Sequence, residues 1–170
     1  MDADTLRALQ APLKQRYRDD PLSAHTPLEA EASFVTEGVT AAVPTWSGTT
    51  RAGLHPATGG DGSDACSGDM LLQALLACAG VTMRSVATAM GIDVVSAKLE
   101  ATGMFDARGT LGMSRDVPIG VQDVSVVAEL ETDADDATLT KLAELTERYC
   151  VVGRSLAQTP AISIRRLQTR

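Results

Sequence analysis

The chain has 170 residues, of which 15 are Lys or Arg and 22 are Asp or Glu, so its formal net charge is −7. This length is typical of one domain. The acidic balance argues against a nucleic-acid-binding protein, which needs a basic face to neutralise phosphates. Hydrophobic residues make up 44% of the chain, too many for a disordered protein, and aromatic residues only 3%, too few for a base-stacking surface.

The cysteines are Cys66, Cys78 and Cys150, and the histidines are His25 and His55. An odd number of widely spaced cysteines does not form a disulfide framework, and the sequence contains no CxxC pair. So few ligands also argue against a zinc or haem site. We therefore predict no bound metal and no cofactor.

The start of the chain predicts a cytoplasmic protein with reduced thiols. Residues 1–6 are acidic and lead into no apolar segment, whereas a secretory signal needs a basic start and an apolar centre. The most apolar stretch, Met70–Val81, is about 12 residues long, below the roughly 20 that span a bilayer. Reduced thiols are the default in the cytoplasm.

The first predicted element is a helix over residues 4–18, with Asp4 available as its N-cap. Pro12 predicts a kink or a division into two short helices. We predict that residues 1–28 form a helical extension and that residues 29–170 form the main domain. Short strands are predicted in residues 29–53, followed by a glycine-rich loop over residues 54–67.

The segment Ser67–Met90 predicts a long helix. Ser67 is a candidate N-cap, Asp69 is an acidic residue of the first turn, and Gly91 supplies a stop. The first half is apolar on nearly every side, which indicates a central, buried helix.

The remainder of the chain predicts strands and one further long helix. Alternating apolar residues predict strands over residues 94–102 and 124–131, and residues 161–164 indicate a last strand. A helix is predicted from Ala134 to about Val152, capped by Asp133, and a short helical turn over residues 154–157. Because strands and helices are segregated along the chain, the order favours an α+β fold.

Cys78 and Cys150 lie on the two main predicted helices. Free cysteines usually serve as small buried hydrophobic residues, and that interpretation holds for both on composition alone. Cys66 lies in the glycine-rich loop and has no assigned role.

Two segments resemble the OsmC/Ohr family (osmotically inducible protein C and organic hydroperoxide resistance protein). Residues 59–83 match its glycine-rich loop and the acidic residue followed by Leu-Leu-x-Ala-Leu-x-Ala-Cys, and residues 145–156 are similar to its later Cys-Pro-Val-x-x-x-Leu motif. The resemblance covers roughly residues 29–170. It implies an α+β fold with antiparallel sheets around two central helices, assembled as an intertwined homodimer with the active sites at the subunit interface.

The resemblance also implies a thiol-dependent peroxidase that reduces organic hydroperoxides in oxidative-stress defence. By position, Cys78 matches the peroxidatic cysteine, Cys150 the resolving cysteine, and Asp69 the helix-start carboxylate that helps to organise an arginine. Such an enzyme needs an external dithiol reductant and no cofactor, nucleic acid or membrane. Substrate-binding residues are not assigned.

The sequence departs from the family pattern at three points. Residues 29–50 contain no Arg or Lys, so the arginine of the family has only Arg51, Arg84 and Arg154 as substitutes. Val151 replaces the proline after the later cysteine, and Asp69 is one methylene shorter than the usual Glu.

Two further functions stay open on the sequence. One is a non-catalytic OsmC-like protein that binds a small apolar ligand at the dimer interface. The other is a redox sensor that forms the Cys78–Cys150 disulfide without turnover.

Overall fold

The computed structural model describes residues 1–167 and shows the α+β class predicted from the sequence. The chain divides into two compact units. The first unit comprises residues 1–28, 75–101 and 125 onward, and the second comprises residues 29–74 and 102–124. Two short 3-10 helices cover Pro21–Ala24 and Pro56–Thr58. The helices and strands are α1 (Ala3–Asp19), β1 (Ser33–Phe34), β2 (Ala41–Thr45), β3 (Gly48–Gly53), β4 (Ala65–Cys66), α2 (Ser67–Met90), β5 (Ser96–Met104), α3 (Ala107–Thr110), β6 (Gln122–Glu131), α4 (Asp136–Tyr149), α5 (Val151–Ser155) and β7 (Ala161–Arg166).

One unit boundary falls between residues 28 and 29, where the sequence predicts the end of the extension. The division into an extension and one main domain stays a prediction, since the second unit is formed by two separate stretches of chain.

The second unit contains a four-stranded sheet in the order β1-β2-β3-β4. The pairs β1–β2 and β2–β3 are antiparallel, and β3–β4 is parallel, with Gly53 opposite Cys66. Both β2 and β3 lie in the region where short strands were predicted. Because it contains both antiparallel and parallel strand pairs, the sheet is mixed, whereas the resemblance implied antiparallel sheets.

A three-stranded sheet has the order β5-β6-β7, and β6 and β7 are parallel. The predicted alternation along β6 is confirmed, because Val126, Ala128 and Leu130 are all buried. Helix α4 packs against β7 of this sheet. The core therefore also includes Leu139 and Leu142 of α4, which have almost no exposed surface.

Helix α1 differs from its prediction at two points. Its N-cap is Asp2, whose side chain accepts a hydrogen bond from the N–H of Thr5, and not Asp4. Pro12 lies inside one continuous helix and does not divide it. No residue of α1 is buried against the described part of the chain.

Helix α2 has the predicted bounds. Ser67 was a candidate for the N-cap, but it is the first residue of the helix itself. Its buried residues, Leu75, Ala79, Met83 and Ala87, recur every fourth position and so form one face. The sequence predicts a central, buried helix; in the single chain this one face of α2 is buried, whereas other apolar positions, such as Val81, are exposed. Gly91, at a φ of +72°, ends the helix as predicted.

By length and composition alone, α2 could cross a membrane, which its 12-residue apolar stretch did not indicate. Of the 18-residue window concerned, 22% is buried within the described structure. A core helix of a soluble protein passes the same test, so this property by itself assigns no membrane span.

Helix α4 begins later and ends earlier than the sequence predicts. Asp135, and not Asp133, is the N-cap, since its carboxylate accepts the N–H of Thr138 at 2.8 Å. The helix ends at Tyr149, and a separate short helix, α5, follows directly. The predicted single helix to Val152 is therefore interrupted at Cys150.

Candidate active site

Cys150 lies at the junction between α4 and α5, and its side chain is fully buried. It is the N-cap of α5, and its Sγ accepts a hydrogen bond from the backbone N–H of Gly153 at 3.4 Å. Such caps satisfy an amide that has no partner within the helix. The cap therefore fixes the rotamer of the thiol as well as the start of α5.

Gly153 allows this close packing. A Cβ at Gly153 would lie 3.3 Å from Sγ of Cys150, 3.5 Å from Leu75 and 3.5 Å from Pro160. A larger residue would displace the Cys150 thiol or the adjoining face of α2. The absence of a side chain thus lets α5 lie against α2 within the first unit.

Cys78, in the middle of α2, is half-buried, and its thiol is close enough to the Cys150 thiol for each to shift the pKa of the other. Both cysteines are free thiols in this structure. The first unit thus brings together two of the three predicted site residues, which are far apart in the sequence.

The pKa of Cys78 lies below its ordinary value. Burial raises this pKa, but hydrogen bonds to the thiolate outweigh the burial. The donors are the backbone N–H of Val152, the thiol of Cys150, the hydroxyl of Thr82 and the backbone N–H of Val151. Because these donors favour the charged form, Cys78 is the thiol of the pair that ionises first.

The pKa of Cys150 is shifted the other way, above its ordinary value. Burial is the main cause, and the neighbouring Cys78 thiolate raises this pKa further, by hydrogen bonding to the protonated Cys150 thiol and by charge repulsion against its thiolate. The N–H groups of Gly153 and Val152 offset part of this rise. The pair therefore holds one thiolate and one neutral thiol over a range of pH.

Two of the three candidate arginines belong to the first unit, and each has a partner other than a thiol. Arg84 donates from Nη1 to the backbone carbonyl of Val94 at 2.7 Å. Arg154 donates from Nη1 to Oγ1 of Thr159 at 3.2 Å. The hydrogen bonds that lower the pKa of Cys78 come from N–H, O–H and S–H dipoles.

Arg51 and Asp69 belong to the second unit. Arg51 forms a salt bridge from Nε to Oδ1 of Asp64 at 2.8 Å. Asp69 is exposed in the first turn of α2, where a negative charge interacts favourably with the helix dipole. The proposed role of Asp69 in organising an arginine stays a prediction.

Three groups around Cys78 were not assigned from the sequence. Thr82 lies one helical turn after Cys78, and i,i+4 spacing could have identified it. Val151 and Val152 act through their backbone N–H groups, which no side-chain pattern reveals. The replacement of the family's proline by Val151 was the available signal, because proline has no N–H to donate.

Within residues 1–167, no group of three or more His, Cys, Asp or Glu side chains is arranged to hold a metal ion.

A comparison with known protein families matches residues 60–165 to the family described as OsmC-like protein. The chain belongs to the OsmC-like protein family. The matched region includes Cys78, Cys150 and Asp69. Proteins of the OsmC family are generally soluble.

Solved structures of OsmC-like proteins have the same fold. An OsmC-like protein from Mycoplasma pneumoniae superposes with a TM-score of 0.68 at 13% identity, covering 85% of this chain and 99% of its own. Organic hydroperoxide resistance proteins from Legionella pneumophila and Elizabethkingia anophelis have TM-scores of 0.59 and 0.64 at 14% and 13% identity. Each comparison covers 85% of this chain and 99% of the other. No curated protein matches the chain.

Proposed function

We propose that this OsmC-like protein is a thiol-dependent peroxidase that reduces organic hydroperoxides, with Cys78 as the peroxidatic and Cys150 as the resolving cysteine. The observation that carries the proposal is that the Cys78 and Cys150 thiols are close enough to influence each other, with pKa values shifted in opposite directions. Two of the structural relatives bear the name of organic hydroperoxide resistance proteins.

The first step needs the Cys78 thiolate. It attacks one peroxide oxygen, the O–O bond breaks, and the alkoxide takes a proton to leave as an alcohol. Cys78 becomes a sulfenic acid. The lowered pKa of Cys78 provides the thiolate. The N–H groups of Val151 and Val152 can still donate hydrogen bonds to Cys78 after its sulfur is oxidised to a sulfenate.

In the second step Cys150 attacks the sulfenic sulfur, the S–O bond breaks, and water leaves with the Cys150 proton. The product is a Cys78–Cys150 disulfide. An external dithiol then reduces it by two thiol–disulfide exchanges and is itself oxidised. The neutral state of Cys150 keeps its proton available to the departing oxygen.

The assembly and setting are part of the proposal. A homodimer would cover exposed apolar positions of α2 such as Val81, which is 73% exposed in the single chain. A reducing cytoplasm would supply the dithiol.

Steady-state turnover tests the proposal. Purified protein is expected to consume cumene hydroperoxide in the presence of dithiothreitol, and Cys78→Ser should abolish this consumption. Cys150→Ser should consume one equivalent and stop at a sulfenic acid that a dimedone probe traps. Ala137→Ser, at an exposed position of α4, should retain the parent rate. A Cys78→Ser protein as active as the parent would falsify the assignment.

A redox sensor uses the same pair of thiols, so the catalytic rate separates the two functions. A sensor would form the Cys78–Cys150 disulfide with one equivalent of peroxide and show no sustained consumption when dithiothreitol is supplied. Sustained consumption at many equivalents per chain favours the peroxidase.

A further inference from the structure

The second unit contains a pocket of about 440 Å³ beside the start of α2. The loop that follows β3, the first turns of α2 and the segment between β5 and β6 form its walls. Its volume lies in the range of small-molecule sites, about 300–1,000 Å³. Apolar side chains make up much of the wall: Leu54, Leu71, Phe105, Ile119 and Val121.

The pocket is uncharged. No Asp, Glu, Lys or Arg is among the described residues that line it. A charged ligand would lose its hydration there and find no opposite charge, which is costly. The lining therefore selects a neutral molecule.

His55 gives the pocket one oriented donor. Its Nδ1 accepts a hydrogen bond from the backbone N–H of Ala57 at 3.0 Å, so the neutral ring carries its proton on Nε2. The ring also lies edge-on to Phe105, with centroids 5.3 Å apart and planes at 90°. Two contacts thus fix the ring, and Nε2–H has no hydrogen-bond acceptor among residues 1–167.

We infer that this pocket binds a small, neutral, largely apolar molecule with one acceptor oxygen, such as a ketone, and that Nε2–H of His55 recognises this oxygen. Apolar walls with a few placed polar groups are the usual design of such sites. The described lining contains neither Cys78 nor Cys150, so the inference is independent of the peroxidase proposal.

Cys66 supplies a built-in reporter, since it is half-buried and lines the same pocket. A bound molecule should shield its thiol from alkylation. The probe is the neutral naphthalene ketone 6-propionyl-2-dimethylaminonaphthalene, and the anionic 8-anilinonaphthalene-1-sulfonate is its charged counterpart. Both are added to the full-length reduced protein, and iodoacetamide labelling of the Cys66 peptide is followed by mass spectrometry.

The neutral ketone is expected to bind saturably with a blue shift of its emission. It should slow Cys66 alkylation about tenfold at about ten times its dissociation constant. The anionic probe should give no comparable protection. Equal protection by both probes, or none by the ketone, overturns the inference.

Two variants locate the binding. His55→Phe keeps a ring of similar size but lacks the donor, and it should weaken ketone binding about tenfold. Gly120→Val adds a side chain at the pocket where a Cβ would meet nothing within 4 Å, and it should abolish protection of Cys66. Ala97→Val, an exposed position of β5, is the matched control and should bind as the parent does.

Thermal unfolding of each variant shows that the fold is retained. Protection of Cys66 that survives both pocket variants overturns the site. Protection of Cys66 that increases with protein concentration and not with probe concentration also overturns the inference. A second copy of the chain would then occupy the pocket.

Discussion

The Cys78 thiol, in the middle of α2, is close enough to the Cys150 thiol at the junction of α4 and α5 for each to shift the pKa of the other. The contact makes the two sulfurs chemically different, since the pKa of Cys78 falls and that of Cys150 rises. The two thiols therefore have distinct roles before any oxidant arrives: Cys78 on α2 ionises first and is the nucleophile, whereas Cys150 keeps its proton.

The first prediction concerns the pH dependence of thiol reactivity. A lowered pKa means that the Cys78 thiolate forms, as pH rises, before an ordinary thiol in the unfolded chain would ionise. Alkylation of Cys78 by iodoacetamide should therefore reach half its maximal rate at a lower pH than alkylation of such a thiol. Cys150, with its raised pKa, should do so at a higher pH. Mass spectrometry of the labelled peptides over a pH series measures both midpoints.

Cys150→Ala provides the control for coupling between the thiols. It removes the S–H donor but leaves the N–H donors of Val151 and Val152. The midpoint of Cys78 should rise slightly and stay below that of the unfolded chain in urea. Equal midpoints for Cys78 and Cys150 in the parent protein would contradict the ordering.

The second prediction uses the position where this chain lacks the family's proline. Val151→Pro removes one N–H donor to the Cys78 thiolate. Val151 is exposed and is the first residue of α5, where proline is well tolerated, so stability should change little. The midpoint of Cys78 alkylation should move to higher pH, and its rate at neutral pH should fall about two- to tenfold.

Val151→Ala keeps the N–H and is the matched control, expected to alkylate as the parent does. If Val151→Pro and Val151→Ala react equally, the N–H of Val151 does not stabilise the thiolate.

The third prediction concerns the hydroxyl of Thr82, which donates to Cys78 from the next turn of α2. Thr82→Val preserves the shape of the side chain and removes the donor, so the pKa of Cys78 should rise and peroxide consumption at neutral pH should slow. Thr82→Ser keeps a hydroxyl and should recover most of the parent rate. The second-order rate with cumene hydroperoxide, measured against pH, separates a raised pKa from a lower limiting rate. A loss in both variants alike would point to packing and not to the donor.

The fourth prediction concerns stability. Leu75 has no exposed surface and contacts the position of Gly153, beside Cys150. Leu75→Ala should lower the free energy of unfolding by about 2–5 kcal/mol, because it removes buried methyl groups and leaves a cavity. Leu9→Ala removes the same atoms from an exposed position of α1 and should cost less than about 0.5 kcal/mol. Urea unfolding measures both, and similar losses would show that α1 is covered in solution.

Local patterns were sufficient to predict several elements. The stretch from Ser67 to Met90 carries helix-forming residues up to a glycine at positive φ, and it forms α2 over those bounds. Alternation predicted the buried face of β6. The family resemblance, and with it the choice of Cys78 and Cys150, came from residues 59–83 and 145–156. It could be found in the sequence because each motif consists of contiguous residues.

Helix ends were less well predicted because neighbouring residues compete as caps. Asp2 and Asp135 serve as N-caps where Asp4 and Asp133 were expected. The early end of α4, at Tyr149, matters for the site because it leaves Cys150 at the junction with α5.

The sequence by itself determined the fold class, the long apolar helix and the two cysteines in family-like contexts. Only the tertiary structure decided that their thiols meet and which groups set their charge. Val151 and Val152 act through backbone N–H groups, which every residue but proline possesses, so their direction depends on how the chain turns at Cys150. The order of ionisation in the pair follows from burial and hydrogen bonding, which are properties of the packed chain.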